Sequence, residues 1–86
     1  MGRDYTDKHY KIFRSQVRNR DKKCRWPNCE AKKKLQVHHI LPWASHPTLR
    51  YDVTNGITLC KNHHNITKGK EYHFAPLFRK IVDGLF

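Results

Sequence analysis

The feature that most constrains this chain is the spacing of its thiols and imidazoles. Cys24 and Cys29 enclose Arg25-Trp26-Pro27-Asn28, and Cys60 stands three residues before His63. Proline followed by asparagine favours a tight reversal, which would bring the first two sulfurs together as a knuckle. Residues at i and i+3 share one face of a helical turn, so Cys60 and His63 can meet that pair from a helix. Three thiolates and one imidazole then complete the tetrahedral shell of a structural zinc ion. Such an ion contributes roughly 10–16 kcal/mol of apparent binding free energy at neutral pH. A chain of 86 residues has use for it, because so small a domain buries only about 60–65% of its unfolded surface. Three cysteines cannot all pair with one another, and no secretion signal is visible, which favours metal ligation over disulfides.

Around this staple the pattern reads as one α+β domain over residues 1–86, divided into a basic N-terminal helix (1–23), a zinc-bound core (24–72) and a C-terminal helix (73–86). Thr6-Asp7 would cap the first helix, which runs to Arg20 with Tyr10, Phe13 and Val17 as its buried stripe. Leu35 to Ile40 alternates as a short strand, and Pro42 ends its pairing. Trp43 to Asp52 reads as an irregular loop, Asn55-Gly56 as a tight turn, and Ile57-Thr58-Leu59 as a second strand. A helix is expected from Cys60 or Asn62 to Tyr72. Another opens at Ala75-Pro76, with proline at its first position and Leu77, Phe78, Ile81 and Val82 as apolar positions. The middle of the chain is thus strand, loop, strand, helix.

Eighteen Lys and Arg against seven Asp and Glu give a formal charge of +11. A balance this basic calls for a polyanion, with nucleic acid first among them. No run approaches the roughly 20 apolar residues that cross a bilayer. The basic residues also lack a single amphipathic face, so a cytoplasmic chain with no membrane partner is expected. Arg14 and Arg18 on the first helix are either a solvated face or phosphate contacts, and the same alternatives hold for Lys32, Lys33 and Lys34. Lys68, one helical turn after His64, is placed to reach a phosphate.

Once zinc is satisfied, His38, His39 and His64 remain. His64 follows a zinc ligand and points about 100° away from it on a helix. His38 and His39 diverge, because neighbouring strand residues face opposite sides. They should do different jobs, and the strand must end or twist if both serve one site. His9 and His46 read as surface residues, and His73 as a weak candidate for the same site. Glu71 reads as pairing with a nearby lysine, and Trp26 and Trp43 as packing beside the metal sites.

At these residues the chain resembles the HNH nuclease family, from about Cys24 to Tyr72. The carriers are Cys24 and Cys29, Val37-His38-His39-Ile40-Leu41-Pro42, Asn55-Gly56-Ile57-Thr58-Leu59-Cys60, and His63-His64 followed by Lys68. The resemblance implies a ββα-metal core, with the motif's letters on His39, Asn55 and His64. His38 stands where many members carry Asp, and His63 where a further cysteine is common. It also implies His39 as general base on a water, a role that suits an imidazole of pKa about 6.5. His38 and His64 would hold one divalent cation, for which Mg²⁺, Mn²⁺, Ni²⁺ and Zn²⁺ all remain open. That cation would polarise the scissile phosphate and stabilise the leaving 3′-oxygen. Asn55 would orient His39.

The activity expected is therefore a metal-dependent endonuclease on double-stranded DNA. Nothing resembles a sequence-reading module, so low intrinsic specificity follows. One site per chain makes a nick the natural product of a monomer or weak dimer. The alternative is a zinc-stabilised nucleic-acid-binding or adaptor module without catalysis, which would have no need of His38, His39 and His64 together. Small free-standing members of the family are frequent in phage and prophage genomes beside DNA-packaging machinery. The resemblance thus implies a phage terminase subunit as a partner, docked through Leu77–Phe86.

Overall fold

A computed structural model describes residues 7–85. The cap expected of Thr6 and the end of the docking helix at Phe86 lie outside the described residues. Helix α1 spans Lys8–Asp21, and the Asp7 carboxylate accepts the His9 N–H at 2.7 Å, closing the helix N-terminus. Tyr51 donates its hydroxyl to the same carboxylate at 2.8 Å. The Asp7 carboxyl is accordingly held below its ordinary pKa, chiefly by Tyr51 and then by the His9 N–H. The stripe Tyr10, Phe13 and Val17 is buried, as its periodicity requires.

Strand β1, Leu35–His39, pairs antiparallel with β2, Gly56–Cys60, in a register running from Leu35 opposite Cys60 to His39 opposite Gly56. The sheet has these two strands, so the far edge of β1 pairs with no strand among the described residues. Ile40 lies just past the ladder, where its N–H donates to the Asn55 carbonyl at 2.8 Å. The loop between the strands carries two 3-10 turns, Pro47–Leu49 and Val53–Asn55.

Asn55-Gly56 is not the tight turn its dipeptide suggests. Asn55 closes the second 3-10 turn, and Gly56 opens β2 with φ −118°, an extended conformation open to any residue. What requires glycine is the approach of α1. A Cβ at position 56 would stand 2.7 Å from Val17 Cγ2 and 2.8 Å from Phe13 Cζ.

The two faces of the sheet are covered differently. Val37 packs with Tyr10, Phe13 and Val17 under α1. Ile57, Leu59, Ile40, Cys24 and Cys60 pack on the other side with Phe78 and Val82. The last two belong to helix α3, Glu71–Asp83, which follows the short helix α2, Lys61–Thr67.

The single helix expected up to Tyr72 is therefore two. It breaks at Gly69, whose φ of +77° is a left-handed conformation that suits glycine. The last helix starts at Glu71, not at Pro76, which lies inside it. Proline there deletes one backbone hydrogen bond that α3 would otherwise make. Glu71 makes no ion pair among the described residues; it sits in the first turn of α3, where its charge suits the helix dipole.

A buried ion pair joins α1 to the sheet. Arg20 meets Asp21 through Nε at 2.7 Å and Nη2 at 3.0 Å, and the Asp21 carboxylate accepts the Thr58 N–H at 2.8 Å. The same guanidinium donates to the carbonyls of Val53 at 2.9 Å and Gly56 at 2.7 Å. Asp21 is wholly buried, and the multiple bonds explain how a charge is tolerated there. Arg20 thus holds both ends of the segment that carries Asn55.

Candidate active site and zinc knuckle

The knuckle forms as its sequence implies. The Cys29 N–H donates to the Trp26 carbonyl at 3.0 Å across Pro27-Asn28, and Asn28 takes a left-handed φ of 66°. Cys24, Cys29, Cys60 and His63 converge so that their ligand atoms all lie within 4.8 Å of one another. His63 Nδ1 is 3.2 Å from the Cys60 sulfur and 3.6 Å from that of Cys24. Three soft donors and an imidazole nitrogen at these separations fit one tetrahedral zinc ion.

Cys60 occupies the N-cap position of α2, where the nearby His63 backbone amide holds its pKa below the ordinary thiol value. Burial has the opposite effect on Cys24, whose thiol is pushed up to about 11. Binding a metal there must therefore displace a proton. Trp26 lies flat on the His63 ring, with centroids 4.6 Å apart and planes 3° from parallel.

The remaining histidines divide by face, as strand geometry requires. His38 points to the side of α2 and α3. Its ring is 5.8 Å from that of His64, nearly perpendicular to it, and 5.4 Å from Phe78. Two imidazoles so placed can share one cation. Among the described residues no third His, Cys or carboxylate joins them, since the one converging set of three or more is the zinc set. The His38–His64 pair is therefore suited to an open shell whose other positions belong to solvent or substrate.

His39 points the other way, under α1. Its ring stacks on Phe13 at 4.8 Å and on Tyr10 at 6.4 Å, with the Trp43 edge at 5.4 Å. Its Nε2 donates to the Arg50 carbonyl at 2.8 Å. A carbonyl can only accept, so in the neutral ring Nε2 bears the proton and Nδ1 the lone pair. Only 3% of His39 is exposed. His39 therefore lies on the opposite side of the sheet from the His38–His64 pair.

Asn55 is buried and ties the residues just past β1 to the loop before β2. Its Oδ1 accepts the Leu41 N–H at 3.0 Å, and its Nδ2 donates to the carbonyls of Leu41 at 3.2 Å and Leu49 at 3.5 Å. Leu41 lies two residues after His39, and Leu49 precedes the residue whose carbonyl holds the His39 ring. Arg50 is itself fixed, donating from Nε to the Trp43 carbonyl at 2.9 Å with its guanidinium 4.8 Å from the Trp43 ring centroid.

The expected phosphate contacts are placed unevenly. Lys32, Lys33 and Lys34 are exposed in the loop before β1. Lys68 is also exposed and caps the end of α2, one residue past Thr67. Arg14 and Arg18 line a groove with His64. His9 and His73 are exposed, and half-buried His46 contacts the Tyr72 ring at 6.0 Å.

Sequence reasoning missed Arg20, Asp21 and the Arg50 carbonyl. An acidic residue at a helix C-terminus opposes the dipole and was a signal for Asp21. A backbone carbonyl leaves no signal at all.

Two antiparallel strands and a helix, stapled by a Cys3His knuckle and carrying imidazoles at the strand edge and on the helix, define a ββα-metal fold. The family model for the HNH endonuclease matches residues 22–70, more than half of the chain, and the chain belongs to that family. Membership supports a nuclease-type function and use of a divalent metal. Searches of curated proteins and of solved structures returned no match.

Proposed function

We propose that the chain is a DNA endonuclease in which His39 takes a proton from the attacking water while His38 and His64 face the scissile phosphate. What carries the reading is the pairing of an open two-imidazole site, His38 with His64, with a separately clamped His39. Nδ1 of His39 is the basic atom, since Nε2 is engaged with the Arg50 carbonyl. Asn55 keeps that carbonyl and the end of β1 in register with each other. A divalent cation held by His38 and His64 would supply charge to the phosphate and to the departing 3′-oxygen. The knuckle of Cys24, Cys29, Cys60 and His63 would hold zinc for stability.

The purified protein should nick supercoiled plasmid when Mg²⁺ or Mn²⁺ is supplied, leaving 5′-phosphate and 3′-hydroxyl ends. His38→Ala and His64→Ala should lower the rate with bound zinc unchanged. A plasmid shifted in mobility but intact across all metals would favour the non-catalytic binding module. Docking on a terminase subunit rests on the resemblance alone. Phe78 and Val82 of α3 belong to the core, so Leu77, which is exposed, is the position to test.

A further inference from the structure

We propose that Arg14 and Arg18 clamp one backbone phosphate of the DNA strand in the groove between α1 and α2, across from His64. The proposal rests on the nuclease reading and deepens it, using residues that lie outside the family-matched stretch.

The groove has a volume of about 210 Å³ and runs along the edge of β1, with Tyr10, Arg14, Arg18, Gln36, Val37 and His64 among its lining. At ~30 Å³ per water that is room for a phosphodiester group and not for a base pair. A contact there would position the strand without reading its sequence.

Charge names the ligand class. Arg14 and Arg18 are four residues apart on α1, so their side chains stand one above the other and repel. Neither pairs with an acidic group among the described residues. Two planar guanidinium forks facing one groove suit a phosphate, whose oxygens accept paired N–H bonds.

Geometry connects the groove to the chemistry. The Arg14 guanidinium stands over the Tyr10 ring at 5.9 Å, and the Tyr10 ring in turn stacks on that of His39 at 6.4 Å. One wall of the groove thus continues into the bed of His39, and the other is His64. A strand laid here would have one phosphate on the arginine pair and the next along β1 toward the histidines. Helix α1 is anchored for such a load, capped at one end by Asp7 and pinned at the other through Asp21 to Thr58.

The test compares Arg14→Gln, Arg18→Gln, Arg14→Lys and, for an equal loss of charge outside the groove, Lys80→Gln. Nicking kinetics are measured beside binding of a fluorescent duplex over a range of salt. Arg14→Gln and Arg18→Gln should each raise KM roughly tenfold with kcat nearly unchanged. Each should also flatten the salt dependence of binding by ~0.9 in log–log slope. Arg14→Lys should recover part of the loss, and the double variant should fall short of the product of the two, because both residues hold one phosphate. Variants that nick and bind no worse than Lys80→Gln would overturn the clamp. Should Arg14→Gln lose zinc or helix content, Arg18→Gln decides, since that side chain is exposed. A protein that binds duplex but never nicks refutes the nuclease reading, while the binding arm still decides the clamp.

Discussion

His39 is held by groups from other elements: two rings from α1, the Trp43 ring and the Arg50 carbonyl. Its position therefore depends on packing set by other elements, and Gly56 is the sharpest example. Alanine at position 56 would drive a methyl group into Phe13 and Val17, both buried, and Phe13 is the ring on which His39 lies. Gly56→Ala should cost about 1–3 kcal/mol in urea unfolding. It should also lower nicking more than this stability loss explains, because α1 must shift. A variant as active and as stable as wild type would show that the close approach is not needed. The same residue marks where local reading failed. Asn before Gly is a strong turn signal, yet here asparagine is a buried clamp and glycine a clearance for a helix that arrives from 40 residues upstream. Only the packed structure separates these meanings.

The elements themselves were largely legible. Tyr10, Phe13 and Val17 recur at helical spacing, so α1 and its buried face followed directly. Both strands fell within one residue of their observed ends, and the knuckle residues specified their own turn. Helix boundaries near the C-terminus were not legible, because Lys68-Gly69-Lys70 and Pro76 give conflicting local signals and core packing arbitrates. Phe78 and Val82 dock into the core, and the α3 helix extends back through Pro76 to Glu71 against the local preference. Pro76→Ala should restore the missing backbone bond and raise stability, by at most about 3 kcal/mol. A decrease in the urea midpoint would mean that the proline ring contributes packing the helix needs. The division of His38 and His39 between two faces was visible in strand alternation. The packing of His39 under α1 and of His38 beside His64 was not, since it depends on where α1 and α2 sit.

The molecule as a whole is a small core divided between two faces of a two-stranded sheet, with the knuckle closing one of them. Neither half is large enough to be independent of the metal, so zinc removal should abolish cooperative unfolding rather than merely lower its midpoint. A chelator that strips zinc and leaves a sharp melt would contradict this. Because the Cys24 thiol is pushed up to about 11 by burial, zinc uptake should release protons, and zinc affinity should fall steadily as the pH is lowered below about 11. Competition with a chromogenic chelator reads that directly. No helix among the described residues is long and apolar enough to cross a membrane. The charge of +11 is instead available to a polyanion, and α1, with Arg14 and Arg18, carries part of it to the groove beside His64.

The central claim is that His39 is the base of a metal-dependent nuclease. The measurement that tests it most directly is nicking of supercoiled plasmid by wild type and His39→Ala in Mg²⁺ or Mn²⁺, with zinc content and duplex binding determined on the same samples. The account predicts that the variant keeps its zinc and binds DNA but loses cleavage by at least about 100-fold, the low end for removal of a general base. A His39→Ala protein that holds zinc and nicks at the wild-type rate would contradict it.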